Sequence, residues 1–329
     1  MRVLLTGAAG FIASRVAEFL LDEGHAVFGV DDLNDAYDVR MKEYRLGRLA
    51  GRERFFFERV DIGVRESLAR AWQSGVERAG GPWDAVINLA ARAGVRSSVQ
   101  NPYVYVQTNA MGTLNLLELC RERGVSKFVL ASTSSLYGAH NPVPFGEDAN
   151  TDRVLSPYAA SKKAAEAMCY TYHYLHGLDV TVLRYFTVYG PAGRPDMSLF
   201  RFTQWIHEGL PVTVYGDGSQ SRDFTYVDDI ARGTILGLRP LGFEVINLGG
   251  DRPVSLREVI SLVERQAGRE AALEYEPGHP ADVPATWASI EKAGMLLGWR
   301  PEVSLEEGVA RLARWYRENR EWAREVNVW

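Results

Sequence analysis

The chain has 329 residues, 46% of them apolar and 24% charged, enough for one large or two ordinary globular domains. Its formal charge of −5 argues against a polyanion-binding surface. Two cysteines, Cys120 and Cys169, lie in apolar helical patterns, and MRVLLTGAAG runs straight into a strand with no signal-type apolar region, so the expectation is a cytoplasmic protein without disulfides or membrane spans.

In chain order, RVLLT (2–6) predicts a strand. Ile12, Val16, Phe19 and Leu20 then recur at helical spacing until Gly24. Strands are predicted at 25–30, 55–60 and 84–90, a long helix at 101–123, a strand at 127–132, a helix at 156–175 and a strand at 180–186. Continuous apolar strands alternating with helices predict an α/β fold with a doubly wound parallel sheet, a Rossmann arrangement. Beyond about residue 187, glycine and proline become frequent and helices are expected near 198–208, 228–238, 255–267, 289–297 and 305–324. Residues 1–186 thus read as a nucleotide-binding domain and 187–329 as a smaller α/β substrate domain, with a soft boundary across which segments return to the first. The six histidines do not cluster, so no metal site is expected.

TGAAGFIAS (6–14) follows the first strand and opens the first helix. Gly7 and Gly10 allow a tight turn whose N–H groups, with the helix N-terminus, suit a pyrophosphate. Asp31, at the end of the second strand, is placed to accept hydrogen bonds from the adenosine ribose and to repel a 2′-phosphate, which favours NAD over NADP. Asp61 and Ile62, after the third strand, are placed to bracket the adenine.

SPYAASKKAAE (156–166) holds two of only five lysines in the chain. Tyr158 and Lys162 stand four apart and share a helix face. Random placement of the chain's tyrosines and lysines would give about 0.2 such pairs. A phenol has a pKa of about 10, and a nearby ammonium and an oxidised nicotinamide both favour its ionised form, so the pair suits a tyrosine base with a lysine helper. The preceding strand ends in hydroxyls, Ser132, Thr133, Ser134 and Ser135, one of which would hold the reacting oxygen in line.

These motifs, with NLAARAGV (88–95), TNAMGTLNLLE (108–118), LRYFTVYGP (183–191), SRDFTYVDDIARG (221–233) and INLGG (246–250), resemble the extended short-chain dehydrogenase/reductase family. The resemblance implies a tightly held NAD and a nucleotide-linked sugar substrate, with Thr133, Tyr158 and Lys162 as the catalytic group. It also implies cofactor contacts from Gly7, Ala9, Gly10, Phe11, Ile12, Asp31, Asn34, Asp61, Ile62, Leu89, Ala90, Ala91, Asn109, Ser132, Tyr185 and Val188. Within that family, DDLNDAYDVRMKEYRL (31–46), TVYGPAGRPDM (187–197) and ADVPATW (281–287) look like the UDP-glucuronate 4-epimerase branch. The dehydratase and decarboxylase branches carry acids after the catalytic threonine, where this chain has Ser134 and Ser135. Epimerisation of UDP-glucose or a UDP-N-acetylhexosamine is the alternative, followed by UDP-glucuronate decarboxylation.

The branch resemblance implies that Arg194, or else Arg96, grips the sugar carboxylate with help from Thr187, Ser134 and Ser135. Tyr215 is a further substrate residue, Arg222 meets the diphosphate and Asp282 the uridine ribose. Departures from the family pattern are Ala13 for a glycine, Asn88 for a histidine and His279 for an arginine. A homodimer through helices 101–123 and 156–175, using Tyr170, Tyr174 and Leu117, is also implied.

Overall fold

A computed structural model describes residues 1–278 and 283–328. The first half runs β1 (Arg2–Thr6), α1 (Phe11–Asp22), β2 (Ala26–Asp31), α2 (Arg40–Leu49), β3 (Phe55–Arg59), α3 (Arg65–Arg78), β4 (Ala85–Asn88), α4 (Val95–Gln100), α5 (Pro102–Tyr105), α6 (Gly112–Arg123), β5 (Lys127–Thr133), α7 (Pro157–His176) and β6 (Asp179–Tyr185). The second runs β7 (Thr187–Tyr189), α8 (Ser198–Glu208), β8 (Val212–Tyr215), β9 (Ser221–Tyr226), α9 (Val227–Leu236), β10 (Phe243–Leu248), β11 (Pro253–Ser255), α10 (Leu256–Ala267), β12 (Leu273–Glu276), α11 (Glu291–Leu297), α12 (Leu305–Glu318) and α13 (Arg320–Ala323).

Seven strands form one parallel sheet in the order β10-β6-β5-β4-β1-β2-β3. The alternation of side chains along each strand divides the core between the two faces. Val3, Leu5, Val27, Ile87 and Val129 pack into one cluster, and Leu4, Phe28, Val86, Phe128 and Leu130 into the other. The strand order reverses between β1 and β4, and the crevice at their carboxyl ends is where such a sheet takes a ligand.

The long helix expected at 101–123 is three pieces, because residues Val106–Met111 wind as a π-helix between α5 and α6. Gly112 comes next, and a Cβ there would lie 2.6 Å from the Ile62 side chain, so α6 packs closely on that side chain and a larger residue would have to displace it. Leu117 is fully buried in the core, not exposed as a dimer contact, because α6 turns that face to the sheet. Likewise the last helix breaks at Asn319 into α12 and α13.

β10 returns from the second half to pair with β6 in the main sheet. β11, β9 and β7 form a small sheet, and β12 pairs with β8. The α9 helix packs on α1, where Arg15 meets Asp228 at 2.6 Å. Among the described residues no helix is long and apolar enough to cross a membrane.

Candidate active site

β1 ends at Thr6 and the chain turns at Gly7, whose φ of 71° suits glycine. A Cβ on Gly7 would lie 2.8 Å from the Ala90 nitrogen, so the turn and the loop after β4 meet backbone to backbone. The Thr6 hydroxyl fixes this contact, donating to Asn88 Oδ1 at 2.7 Å and accepting from Ala90 N–H at 3.0 Å. Asn88 Nδ2 in turn donates to Thr113 at 3.0 Å. Asparagine therefore serves here as a junction between β1, β4 and α6. Gly10 caps α1 without a side chain, which leaves the first N–H groups of the helix facing outward. Phe11 and Ala13 are buried behind the turn and Ile12 half-buried, the Ala13 methyl filling the space that glycine would leave open.

Asp31 closes β2 as expected. Its carboxylate accepts the N–H groups of Ala9 at 3.1 Å and Leu33 at 2.8 Å, with Lys42 Nζ at 3.7 Å. Burial raises its pKa, while Lys42 and the two N–H groups oppose the shift. Asn34 Oδ1 accepts from Ala36 N–H at 3.1 Å, and exposed Asp61 accepts from Gly63 N–H at 2.8 Å. Ile62 is buried, and its carbonyl is held by Asn115 at 2.9 Å. Leu89, Ala90 and Ala91 line the loop after β4, half-buried. This set fits a dinucleotide: a turn that a Cβ would fill, outward N–H groups and a carboxylate suited to a ribose diol.

Asn109 spends its amide on the protein. Its oxygen accepts Arg92 N–H at 2.8 Å, and its nitrogen donates to the Arg92 carbonyl and the Ser161 hydroxyl, each at 2.9 Å. It positions the loop after β4 against α7. Ser132 also turns inward, donating to Glu166 at 2.5 Å, and the Tyr185 hydroxyl pairs with Thr234 at 2.7 Å. Those two side chains shape the site from behind, because their polar atoms are already paired in the interior.

The sequence SPY sets the start of α7. Ser156 accepts Ala159 N–H at 3.2 Å, and Pro157 takes the first helical position, where its missing N–H does no harm. Tyr158 thus falls in the first turn and Lys162 one turn on. The Thr133 hydroxyl acts on the Tyr158 phenol as a hydrogen-bond partner. Thr133 also caps the turn that follows β5, accepting Ser135 N–H at 3.1 Å and donating to the Ser135 hydroxyl at 3.2 Å. Ser134 opens that turn beside it.

The electrostatics differ from the expected pair. Burial raises the Tyr158 pKa, and the groups pulling it down are Thr133 and the guanidinium of Arg194, not the Lys162 ammonium. Lys162 Nζ instead donates to the Ala131 carbonyl at 2.8 Å. Burial brings its pKa down to about 8, and Glu166 one turn further works against that. Its neighbour Lys163 points outward to Thr151 at 2.5 Å, so the two adjacent lysines do different work.

Arg194 follows β7 in the loop at residues 190–197. Asp196 holds its Nε at 3.1 Å and its Nη2 at 2.5 Å, and Nη2 also reaches the Ala93 carbonyl at 3.4 Å. Arg96 lies 4.0 Å over the Tyr215 ring, which brings two expected substrate residues together across the two halves of the chain. Thr187 and Val188 lie on β7 paired with β9, and Arg222 lies on β9 with Nη1 on the Ser221 carbonyl at 2.8 Å. Asp282 and His279 fall outside the described residues.

Residues 3–249 match the NAD dependent epimerase/dehydratase family. This chain belongs to that family. It is 56% identical over 326 residues to a UDP-glucuronate 4-epimerase of Thermodesulfobacterium geofontis, with 99% of each chain covered. A UDP-glucuronic acid 4-epimerase from Bacillus cereus, crystallised with UDP-glucuronic acid and NAD, superposes with a TM-score of 0.89 at 37% identity, covering 97% of this chain and 100% of that one. A UDP-glucose 4-epimerase from Thermotoga maritima, crystallised with UDP-glucose, gives a TM-score of 0.88 at 32% identity, covering 97% and 99%.

Four side chains of this site are given no role by the sequence reading, although Lys42, Arg45 and Asp196 fall within motifs quoted above and only Tyr105 lies outside them. Lys42 and Arg45 come from α2, whose buried face they share with Met41 and Leu49. Asp196 holds Arg194, and Tyr105 packs edge-on against Tyr158 with ring centroids 6.1 Å apart. The readable signal is in MKEYRL, where two cations fall on the same helix face as apolar residues. Cations on a buried face imply a polar site opposite.

Proposed function

We propose that this protein interconverts UDP-glucuronate and UDP-galacturonate by inverting the sugar at C4 through a transient 4-keto intermediate. The observation that carries the reading is the place of Arg194, a guanidinium anchored by Asp196 within electrostatic reach of the Tyr158 phenol, where a cation can meet the carboxylate of an acidic sugar. NAD, bound at the turn between β1 and α1, supplies the hydride acceptor and donor.

Tyr158 Oη takes the proton from the sugar 4-hydroxyl and later returns it, while Thr133 Oγ1 holds the reacting oxygen in line. Lys162, nearly buried, fixes the start of α7 to the end of β5 through Ala131 and stays available to a ribose hydroxyl. The 4-keto form of a glucuronate is a β-keto acid, which loses carbon dioxide when its carboxylate bond aligns with the carbonyl π system. Arg194 grips that carboxylate and holds the bond out of alignment. Asp196 and Ala93 occupy Nε and Nη2, so Nη1 is the edge that remains for the grip. Arg96 with Tyr215, Thr187, Ser134 and Ser135 shape the sugar pocket, and Arg222 and Asp282 take the diphosphate and uridine ribose. On this reading the segment from 187 onward forms the substrate side of the crevice, and residues 1–186 with the returning β10 form the cofactor side.

Epimerisation of a neutral UDP-hexose is the second reading, favoured by the likeness to the Thermotoga maritima enzyme. The two separate in one experiment. Purified protein is incubated with UDP-glucuronate and with UDP-glucose, and the products are identified by NMR. UDP-galacturonate as the dominant product supports the first; UDP-galactose formed faster than UDP-galacturonate sinks it. Two buried free cysteines suit a cytoplasmic location, and the exposed tyrosines of α5 and α7 suit a homodimer.

A further inference from the structure

Arg45 is a buried cation that meets no carboxylate among the described residues; it is 2% exposed. Its partners are backbone carbonyls and one phenol. Nε and Nη2 donate to the Ala192 carbonyl at 2.9 and 2.8 Å, and Nη2 also to Gly193 at 2.9 Å. Nη1 donates to the Ala9 carbonyl at 3.3 Å and to Tyr37 Oη at 2.7 Å. The guanidinium also packs against the rings of Tyr37 and Phe11, 5.4 and 5.8 Å from their centroids. One side chain therefore joins the nucleotide turn, through Ala9 and Phe11, to the loop that carries Arg194.

The held loop is strained. Ala192 has a φ of 53°, a left-handed conformation that an alanine takes only when its surroundings force it. Its carbonyl is the one that receives the fork of Arg45, two residues before Arg194. A planar guanidinium holds two adjacent carbonyls in a fixed fork and keeps a further edge for Ala9 and Tyr37, whereas the ammonium of lysine has three donors and no fixed plane. Tyr37 completes the arrangement, touching Arg45 directly and acting electrostatically on Arg194. This gives a physical role to the stretch DDLNDAYDVRMKEYRL, which holds both Tyr37 and Arg45.

We propose that Arg45, braced by Tyr37, is a positioning residue for the carboxylate grip: it fixes the turn at Ala192 and Gly193 that aims Arg194, and ties that turn to the cofactor cradle at Ala9. The inference rests on the uronate reading above. Its consequence is chemical. When the grip loosens, the C5–C6 bond of the 4-keto acid swings into line with the C4 carbonyl. That bond breaks, carbon dioxide leaves, the electron pair passes to the enolate, and a proton from water adds at C5. No net oxidation or reduction accompanies this step. The product is a UDP-linked 4-ketopentose, which becomes a UDP-pentose if the electrons held from C4 return.

The test compares the wild-type holoenzyme with Arg45→Lys and Tyr37→Phe, each incubated with UDP-glucuronate. NMR reads the share of consumed substrate ending as decarboxylated products, and the NAD released on denaturation reads cofactor retention. For Arg45→Lys, kcat/KM falls on the order of tenfold to a hundredfold, NAD is retained, and the decarboxylated share rises severalfold. Tyr37→Phe moves the same ratio less. Adding Ala192→Gly to Arg45→Lys recovers part of it, because glycine holds the left-handed turn without help. A wild-type product ratio in both single variants overturns the proposal, whatever happens to rate. If Arg45→Lys does not fold, the ratio in Tyr37→Phe alone decides. Wild-type formation of UDP-galacturonate in the same assay checks the activity separately.

Discussion

At the residue scale the site turns on which positive group sits beside the phenol. Burial lifts the Tyr158 pKa, Thr133 and Arg194 pull it down, and Lys162 faces the Ala131 carbonyl. The Tyr–Lys spacing identifies the right helix face, but a spacing four apart does not say where the ammonium ends up. On the proposed reading Arg194 has two tasks, gripping an acid and holding the phenol pKa down. Both are lost in Arg194→Gln. Removing a cation destabilises phenolate, so the phenol pKa rises and the acidic limb of the kcat/KM profile moves to higher pH, by about one unit. Measuring kcat/KM against pH for the two proteins checks this. A limb that stays in place, with only the plateau lowered, leaves Arg194 with the grip alone.

At the element scale, Asp223 on β9 is fully buried. It accepts Ala288 N–H at 2.8 Å and also Gly250 N–H, so it pins two loops to the small sheet. Burial raises its pKa to about 6, above the usual 3.8. A raised carboxyl pKa favours the folded state fully below the unfolded value, and that contribution fades as pH climbs through about 6. The difference corresponds to about 3 kcal/mol at about 1.36 kcal/mol per unit. Denaturant unfolding from about pH 4 to about pH 7 should show the wild type losing stability relative to Asp223→Asn. Parallel curves would mean that the carboxyl is ionised throughout. The same scale shows what the sequence reveals and what it hides. Strands such as KFVLAS and the capped start of α7 are legible because burial and capping act on adjacent residues. The helix α2 is not, because RMKEYRLGRL is half charged and its buried face carries Lys42 and Arg45, which face the site instead of the core. The apolar period fails where function replaces packing. The π-helix at 106–111 is hidden for a related reason, since its wider turn matters to Asn109, a contact made across the fold. The return of β10 to the main sheet is likewise a long-range pairing with no local mark.

At the scale of the whole molecule, the open question is what covers the outer face of α5 and α7. Tyr103 is 85% exposed, Tyr174 76%, Leu175 62% and Tyr170 54%. Val106, on the π-helix between α5 and α6, is also exposed. The α5–α6 segment packs beside α7, so these apolar side chains stand on neighbouring elements, the kind of surface that a second copy buries. A dimer through this face should sediment at twice the 36.7 kDa of the chain. Glutamate at both Tyr170 and Tyr174 places like charges in the contact and should give monomers at micromolar concentration, with a lower Tm because folding loses the free energy of association. The effect should also reach the site. The short helix α5 carries Tyr103 outward and Tyr105 inward, where Tyr105 bonds Ser97 at 2.9 Å and packs on Tyr158. Tyr170 and Tyr174 lie on α7 itself, the helix that presents Tyr158. Monomers should therefore turn over more slowly even when fully folded at the assay temperature, and sedimentation paired with kcat on the same samples checks both. Wild-type protein that sediments at the mass of one chain would leave this face without its partner and remove the link between assembly and rate.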